Sequence, residues 1–383
     1  MGHRGRRGGW LVRIAHVANF YGPTSGGLRT AMHALGAGYL ERGHEYLMIV
    51  PGGEDTDQDT EFGRRVTIKS PVLPLSGGYR VISRNREVKE YLEGFQPDAI
   101  EVSDRTTLRG LGPWARRRGI PAVFIAHERA DGIIRANVPR WIASLLPVTV
   151  LANAHNRGIA RRFATVVATT DYAGQEFERI GVESVKVPLG VDLERFHPSH
   201  FSDQVRAQHA TANESLIFMA SRLSPEKRPD LAIDAVRLLG DRGVRVRLVS
   251  AGTGSLDADM KKRAVGLPVT FLGFVSSRGT FAHLLASADV VVAPGPIETF
   301  GLAALEGLAS GTPAVVNANS ALPEVVGDAG VAAASTPQAF ADAIVEMLGR
   351  DPSKRRAAAR AQAETLPWSA TVERMLALHQ PPQ

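Results

Sequence analysis

Ala293-Pro-Gly-Pro-Ile-Glu298-Thr-Phe-Gly-Leu-Ala-Ala-Leu-Glu306 governs how the rest of the chain is read. An apolar strand, Ala288-Asp-Val-Val-Val292, runs into it, and Pro294, Gly295 and Pro296 break the alternation. From Thr299 the spacing turns helical, with Leu302, Leu305, Leu308 and Ala309 on one face. Glu298 is therefore expected in the turn at the helix entrance. Glu306 follows about 12 Å further along the axis, at a rise of ~1.5 Å per residue. Between them lie the unpaired N–H groups of a helix N-terminus, which attract anions. A ligand with hydroxyls at both ends and phosphates in the middle fits this layout, and a nucleotide sugar is such a ligand. Spacing alone leaves a second reading open: one Glu favoured by the helix dipole, the other a solvated surface residue.

At 383 residues and 44% apolar content, the chain is large enough for two domains. Short apolar runs alternate with helical patterns along most of its length, which predicts an α/β fold with parallel sheets. Cysteine is absent, so disulfides, thiol nucleophiles and thiolate metal sites are excluded. That suits a cytoplasmic location without proving it. No apolar stretch approaches the ~20 residues of a membrane span. Arg4, Arg6 and Arg7 are too weakly followed by apolar residues for a secretory signal, and a frayed tail is expected there. The net charge of +6 favours phosphate-bearing ligands or an anionic membrane surface. Nucleic acid is not expected as a partner, because no reading motif is present and aromatics are sparse.

Each half opens on a strand. In the first, strands are expected at 11–18, 46–50, 99–103, 122–126 and 166–170, with a helix over 28–42 after a loop from Asn19 to Gly27. Val187 to Pro198, with two prolines and a glycine, reads as the approach to a linker. Strands at 216–220, 247–252, 269–274, 290–293 and 314–316 make up the second half, and a last helix runs through Val372, Met375, Leu376 and Leu378. Doubly wound sheets place ligands at the carboxyl ends of their strands. The residues just past those ends are therefore the candidates.

Arg222-Leu-Ser-Pro-Glu-Lys227 follows the first strand of the second half. A departing diphosphate needs fixed cations, and Arg supplies a bidentate fork where Lys supplies a compact charge. Taken alone, the run also reads as a solvated loop. Gly22-Pro-Thr-Ser-Gly26-Gly27 stands between a strand and a helix, where glycines let backbone N–H groups approach an anion; a plain turn is the alternative. Gly252, in Ala251-Gly-Thr-Gly254, and Val275, after Gly273-Phe274, close two further strands. His127 follows the strand 122–126, and Asp104 and Arg105 follow 99–103. Tyr79 to Tyr91 mixes Arg80, Arg84, Arg86 and Lys89 with Val81, Ile82 and Val88. As a helix it would suit an anionic bilayer or be a plain charged surface.

The E-x7-E run, with Phe300-Gly301 and the returning strand Ser310-Gly-Thr-Pro-Ala-Val-Val316, closely resembles the signature of retaining glycosyltransferases of the GT-B type, family 4. The resemblance spans nearly the whole chain. It implies two doubly wound Rossmann-like domains facing across a cleft, an acceptor side over 11–195 and a nucleotide-sugar side over 196–367. A C-terminal helix within 368–383 packs back on the first. It further implies Arg222 and Lys227 as a pyrophosphate clamp, Glu298 on sugar hydroxyls, Glu306 on the ribose diol and His127 at the transferred sugar. Gly26, Gly27, Gly252, Val275, Thr299, Phe300, Gly301 and Leu302 would line the donor. Asp104, Arg105 and Tyr21 would face the acceptor. With two cations at the leaving group, no metal or other cofactor is expected.

The segments Ala18 to Thr30, Glu101 to Arg105 and Ala293 to Leu302 are most similar to actinobacterial α-mannosyltransferases that use GDP-mannose on phosphatidylinositol or glycolipid acceptors. Such an enzyme would sit in the cytoplasm, peripheral on the inner membrane face. Ser277 stands where guanosine-using relatives often carry an acid. Other GT-B activities stay open: a UDP-sugar transferase on a soluble acceptor, or a nucleotide-sugar epimerase. So does a non-catalytic nucleotide-binding protein.

Overall fold

The computed structural model describes residues 11–22, 26–73, 78–132 and 147–379. The basic N-terminal stretch and Pro23–Ser25 of the glycine loop lie outside the described residues. In the first half, β1 (Arg13–Ala18), β2 (Glu45–Gly52), β5 (Ala99–Ser103), β6 (Ala122–Ala126), β7 (Thr165–Ala168) and β8 (Val185–Lys186) pair in parallel. A hairpin of β3 (Thr56–Thr60) and β4 (Gly63–Lys69) extends the edge, giving the order β3-β4-β2-β1-β5-β6-β7-β8. The second sheet is wholly parallel. It holds β9 (Ser215–Ala220), β10 (Val246–Ala251), β11 (Val269–Gly273), β12 (Val290–Ala293), β13 (Ala314–Asn317) and β14 (Gly330–Ala333), in the order β11-β10-β9-β12-β13-β14.

Apolar runs buried on both faces produce this layering, because a parallel strand needs helices on either side. In β1, Ala15 and Val17 face one core, while Ile14 and Ala18 face another that contains Met32, Leu35 and Tyr39 of α1 (Gly27–Glu41). Sheet order reverses direction beside β1 in the first sheet and beside β9 in the second. Such switch points open a crevice past the strand ends. The loops after β9 and β12 flank the second crevice, and they are the two that carry Arg222–Lys227 and Glu298.

Helix α14 (Trp368–His379) lies against α1, and Val372 and Met375 are buried between it and the first sheet. A Cβ on Gly38 of α1 would lie 2.5 Å from a Val372 methyl, so the two helices cross at close range. Each such buried side chain contributes roughly 1.5–3 kcal/mol. The chain reaches α14 along a short bridge in which Val191 pairs with Pro367 and the Val191 N–H donates to the Leu366 carbonyl at 2.9 Å.

Two expectations are corrected. Tyr79–Tyr91 is not one amphipathic helix: α2 begins at Asn85 and runs to Phe95, and Val81, Ile82 and Val88 are buried in the core. Arg84 pairs with Asp55 and Glu87, and Arg86 with Glu90, so this segment offers no apolar face to a bilayer. The helix after Glu298 begins at Leu302 rather than Thr299, because Gly301 adopts a left-handed conformation (φ 78°) that the helix cannot include. The 12 Å separation derived from continuous helix therefore does not apply. Among the described residues, no helix is long and apolar enough to cross a membrane.

Candidate functional site

The loop after β9 is held by its neighbour. The N–H groups of Ser221 and Leu223 each donate at 3.1 Å to the carbonyls of Ala251 and Thr253. A Cβ on Gly252 would stand 2.0 Å from the Ser221 carbonyl, and φ there is 136°, so glycine is required for this approach. Pro225–Lys227 form one 3-10 turn, and Arg228 turns left-handed (φ 49°) to open α7 (Pro229–Asp241). The turn aims Lys227 at the other loop, where its Nζ lies 2.5 Å from Glu298 Oε1. Arg222 pairs with Glu226 at 3.2 Å and its guanidinium stands 5.7 Å from the Tyr79 ring, contributed by the first sheet's domain. Lys227 thus meets Glu298 across the two loops, while Arg222 stands beside Glu226 and faces the first domain.

Glu298 sits in the loop before α10 (Leu302–Ala309), and its carbonyl accepts from the Ala321 N–H at 2.9 Å. Gly301 is confined on both counts: besides its φ, a Cβ would lie 2.2 Å from Leu322 Cδ2. Phe300 is buried and Leu302 packs on the same core. Thr299 crosses to the other domain. Its hydroxyl donates to the His127 carbonyl, and its own carbonyl accepts from the hydroxyls of Thr169 and Thr170, the latter at 2.9 Å. Glu306 is buried one turn into α10 and pairs with Arg278 at 2.5 Å. Burial pushes its carboxyl above the usual range, and Arg278 offsets only part of that.

On the first domain, His127 sits at the end of β6 with its Nε2 2.9 Å from Ser103 Oγ. Burial, with the neighbouring His16, lowers its pKa to about 3, so the ring is neutral. Gly26 and Gly27 stand at the start of α1, and a Cβ on either would meet nothing within 4 Å. Asp104 is buried and accepts from the Thr106 and Leu108 N–H groups at 2.9 and 2.8 Å, the pattern of a loop cap. Arg105 is buried as well, with Asn156 at 2.7 Å and Glu176 at 3.5 Å. The Tyr21 hydroxyl lies 2.7 Å from His33 Nε2.

Phe274 is exposed after β11, and Val275 packs on the second domain's core. Ser277 caps α9 (Arg278–Ser287) by accepting from the Thr280 N–H at 3.2 Å, which gives that serine a local reason to be there. Sequence reasoning missed Arg278, stacked over Phe196 at 4.9 Å while it holds Glu306. Its only signal was a cation in the first turn of a helix, where the dipole disfavours it. It also missed Ser103 and His16, buried polar residues of the adjoining strands β5 and β1.

The family described as Glycosyl transferases group 1 matches residues 201–364, and the Glycosyl transferase 4-like domain matches 26–190. A GDP-mannose-dependent alpha-(1-6)-phosphatidylinositol dimannoside mannosyltransferase of Mycobacterium tuberculosis (strain ATCC 25177 / H37Ra) is 47% identical over 369 residues, covering 96% of this chain and 95% of that protein. A D-inositol 3-phosphate glycosyltransferase of Thermomonospora curvata is 29% identical over 71% of this chain and 69% of its own. Among solved structures, sucrose-phosphate synthase from Thermosynechococcus elongatus superposes with a TM-score of 0.76 at 20% identity, over 96% of this chain and 98% of that one. WaaG, a glycosyltransferase of lipopolysaccharide biosynthesis, gives 0.70 at 18% identity, over 96% and 100%. These two show the fold alone. With both halves matched and a relative of this identity along nearly its whole length, the chain belongs to the family-4-type glycosyltransferases of the GT-B fold.

Proposed function

We propose that this glycosyltransferase moves mannose from GDP-mannose to a hydroxyl of a phosphatidylinositol-type glycolipid, with retention at the anomeric carbon. The observation that carries the reading is the contact of Lys227 with Glu298 past the strands that flank the second switch point, with Arg222 on the same loop as Lys227. The donor and acceptor named for the relative at 47% identity supply the choice of substrate. Residues 11–195 form the acceptor side in this reading, and 196–367 the donor side.

The diphosphate lies against Arg222 and Lys227, with Gly26 and Gly27 facing it from the start of α1. Glu298 receives sugar hydroxyls and Glu306 the ribose diol. The acceptor oxygen bonds to C1 from the face that the diphosphate leaves. The C1–O bond to phosphate breaks, its electron pair stays on GDP, and a phosphate oxygen takes the hydroxyl proton. Charge on that oxygen grows through the transition state, which the two fixed cations stabilise more than the ground state. Neutral His127 contributes a hydrogen bond at the sugar, not a proton. No metal takes part in this reading. Val275 main-chain atoms and Phe274 border the base, and Asp104, Arg105 and Tyr21 stand on the acceptor side.

The test incubates the protein with GDP-mannose, UDP-glucose or UDP-N-acetylglucosamine, phosphatidylinositol dimannoside in mixed micelles, and EDTA, followed by mass spectrometry of the lipid. One added hexose from GDP-mannose alone, undiminished by EDTA, is expected. Transfer only from a UDP-sugar, or only with added divalent cation, would reject the donor or the metal-free mechanism respectively.

A further inference from the structure

The two central strands of the first sheet each carry a buried ionisable residue where an aliphatic one would pack. His16 of β1 and Glu101 of β5 are register partners, and both are wholly buried. A buried carboxylate costs several kcal/mol unless it is well supplied with donors. Glu101 Oε1 accepts from the Tyr39 hydroxyl at 2.6 Å and from His379 Nε2 at 2.8 Å, and Oε2 lies 2.9 Å from His16 Nδ1. Burial opposes its ionisation, but His16 and His379 outweigh that and hold it well below the usual carboxylate range. From His16 the line continues toward the cleft. Its Nε2 is 2.7 Å from Ser103 Oγ, which is 2.9 Å from His127 Nε2.

His16 Nδ1 stands between Glu101 Oε2 and the Tyr46 hydroxyl, the latter at 3.0 Å, while its Nε2 meets Ser103. Ser103 has one hydroxyl proton to place between two imidazoles, so the ring nitrogen that does not receive it must itself donate to Oγ. The sense of the His16–Ser103 contact thereby sets which nitrogen of neutral His127 carries the proton. Glu101, His16 and Ser103 follow the order of a hydrolytic triad, but Ser103 is buried and its oxygen is engaged by His127.

We propose that His379, Glu101, His16 and Ser103 form a positioning chain that fixes the ring and a single tautomer of His127, so that its Nδ1 meets a hydroxyl of the transferred sugar in one hydrogen-bonding sense. The proposal rests on His127 meeting that sugar, as in the function above. It gives the last helix of the chain a part in the reaction: α14 delivers His379 from 278 residues away in sequence to the far end of a line that terminates in the cleft. These four are positioning residues, since none touches substrate.

The experiment uses the full chain with 15N-labelled histidine, and His127 is assigned by loss of its signals in His127→Gln. Two-bond nitrogen–proton correlations report the tautomer, and steady-state kinetics with GDP-mannose report the rate. In wild type, His127 is expected as a single tautomer. Ser103→Ala is expected to give mixed tautomers and to lower kcat at least tenfold, with GDP affinity changed less than twofold. His379→Leu is expected to lower kcat, and His379→Gln, which keeps a donor toward Glu101, to restore most of it. An unchanged His127 tautomer in Ser103→Ala, or kcat within twofold of wild type in both Ser103→Ala and His379→Leu, would overturn the chain. If wild type transfers no mannose, the functional reading fails, while the tautomer measurement still decides the chain.

Discussion

Substitutions at Lys227 and Glu298 should move nucleotide affinity in opposite directions, although the two side chains touch. Lys227 Nζ lies 2.5 Å from Glu298 Oε1, and each side chain is 20% exposed, so the pair is neither dry nor fully screened. Lysine has three N–H donors and Glu298 occupies one, which leaves donors for phosphate oxygens. A charge-assisted hydrogen bond contributes about 1.5–3 kcal/mol. At ~1.4 kcal/mol per decade, Lys227→Met should therefore weaken GDP binding roughly 10- to 100-fold. Glu298 does the reverse in the GDP complex, where no sugar meets it and its charge repels the diphosphate. A unit charge at about 6 Å and an effective dielectric of ~20 amounts to ~3 kcal/mol, and partial exposure reduces this to ~1 kcal/mol. Glu298→Gln should thus bind GDP about fivefold tighter while transferring mannose far more slowly. Isothermal titration with GDP in metal-free buffer reads both. Equal weakening in the two variants would refute the separation of phosphate from sugar contacts, and no change in either would remove the clamp.

Three further outcomes are expected. Gly301→Ala adds a left-handed residue, about 1–2 kcal/mol, and a methyl 2.2 Å from Leu322, roughly 1–3 kcal/mol of overpacking. Its melting temperature should fall by several degrees, whereas Gly240→Ala, in open space on α7, should be neutral or stabilising. Glu306 has a raised carboxyl pKa, so its contribution to stability is fully present below the ordinary carboxylate value and is lost as pH rises through the folded one. Denaturant melts should show Glu306→Gln gaining on wild type over that interval, and a constant difference from pH 4 to 8 would contradict this. His127, depressed to about 3, should show no titration of its ring C–H signals between pH 8 and 5. A midpoint near 6.5 would mean that the ring is solvated and free of the Ser103 contact.

Where local pattern and tertiary structure agree, the fold was legible. Ala99–Ser103, Ala122–Ala126 and Val290–Ala293 stand with the boundaries their apolar runs predict, since strands buried on both faces leave no ambiguity of period. The β3–β4 hairpin was not legible, because Asp57, Gln58 and Asp59 lie exposed at a sheet edge and carry no apolar alternation. Pairing there is set by the neighbouring β2, which no local window contains. At the proposed site, Arg222, Lys227 and Glu298 stood out as candidates because charges just past strand ends have little packing reason to be there. Arg278 was missed because its partner Glu306 is 28 residues away, and only the packing of α9 near α10 joins them. The Glu101–His379 contact was further out of reach, since it depends on where the last helix docks. The Tyr79–Tyr91 segment misled for the opposite reason: its mixed composition suited a surface helix, while tertiary packing buried its apolar residues.

The most direct measurement is the anomeric configuration of the mannosyl lipid made by wild type from GDP-mannose in the presence of EDTA, read by NMR beside parallel reactions with Lys227→Met and Glu298→Gln. The account predicts an α-linked mannose, formed without metal, at rates that both substitutions cut by at least tenfold. A β-linked product, or an α-linked product formed at wild-type rates by both variants, would contradict it.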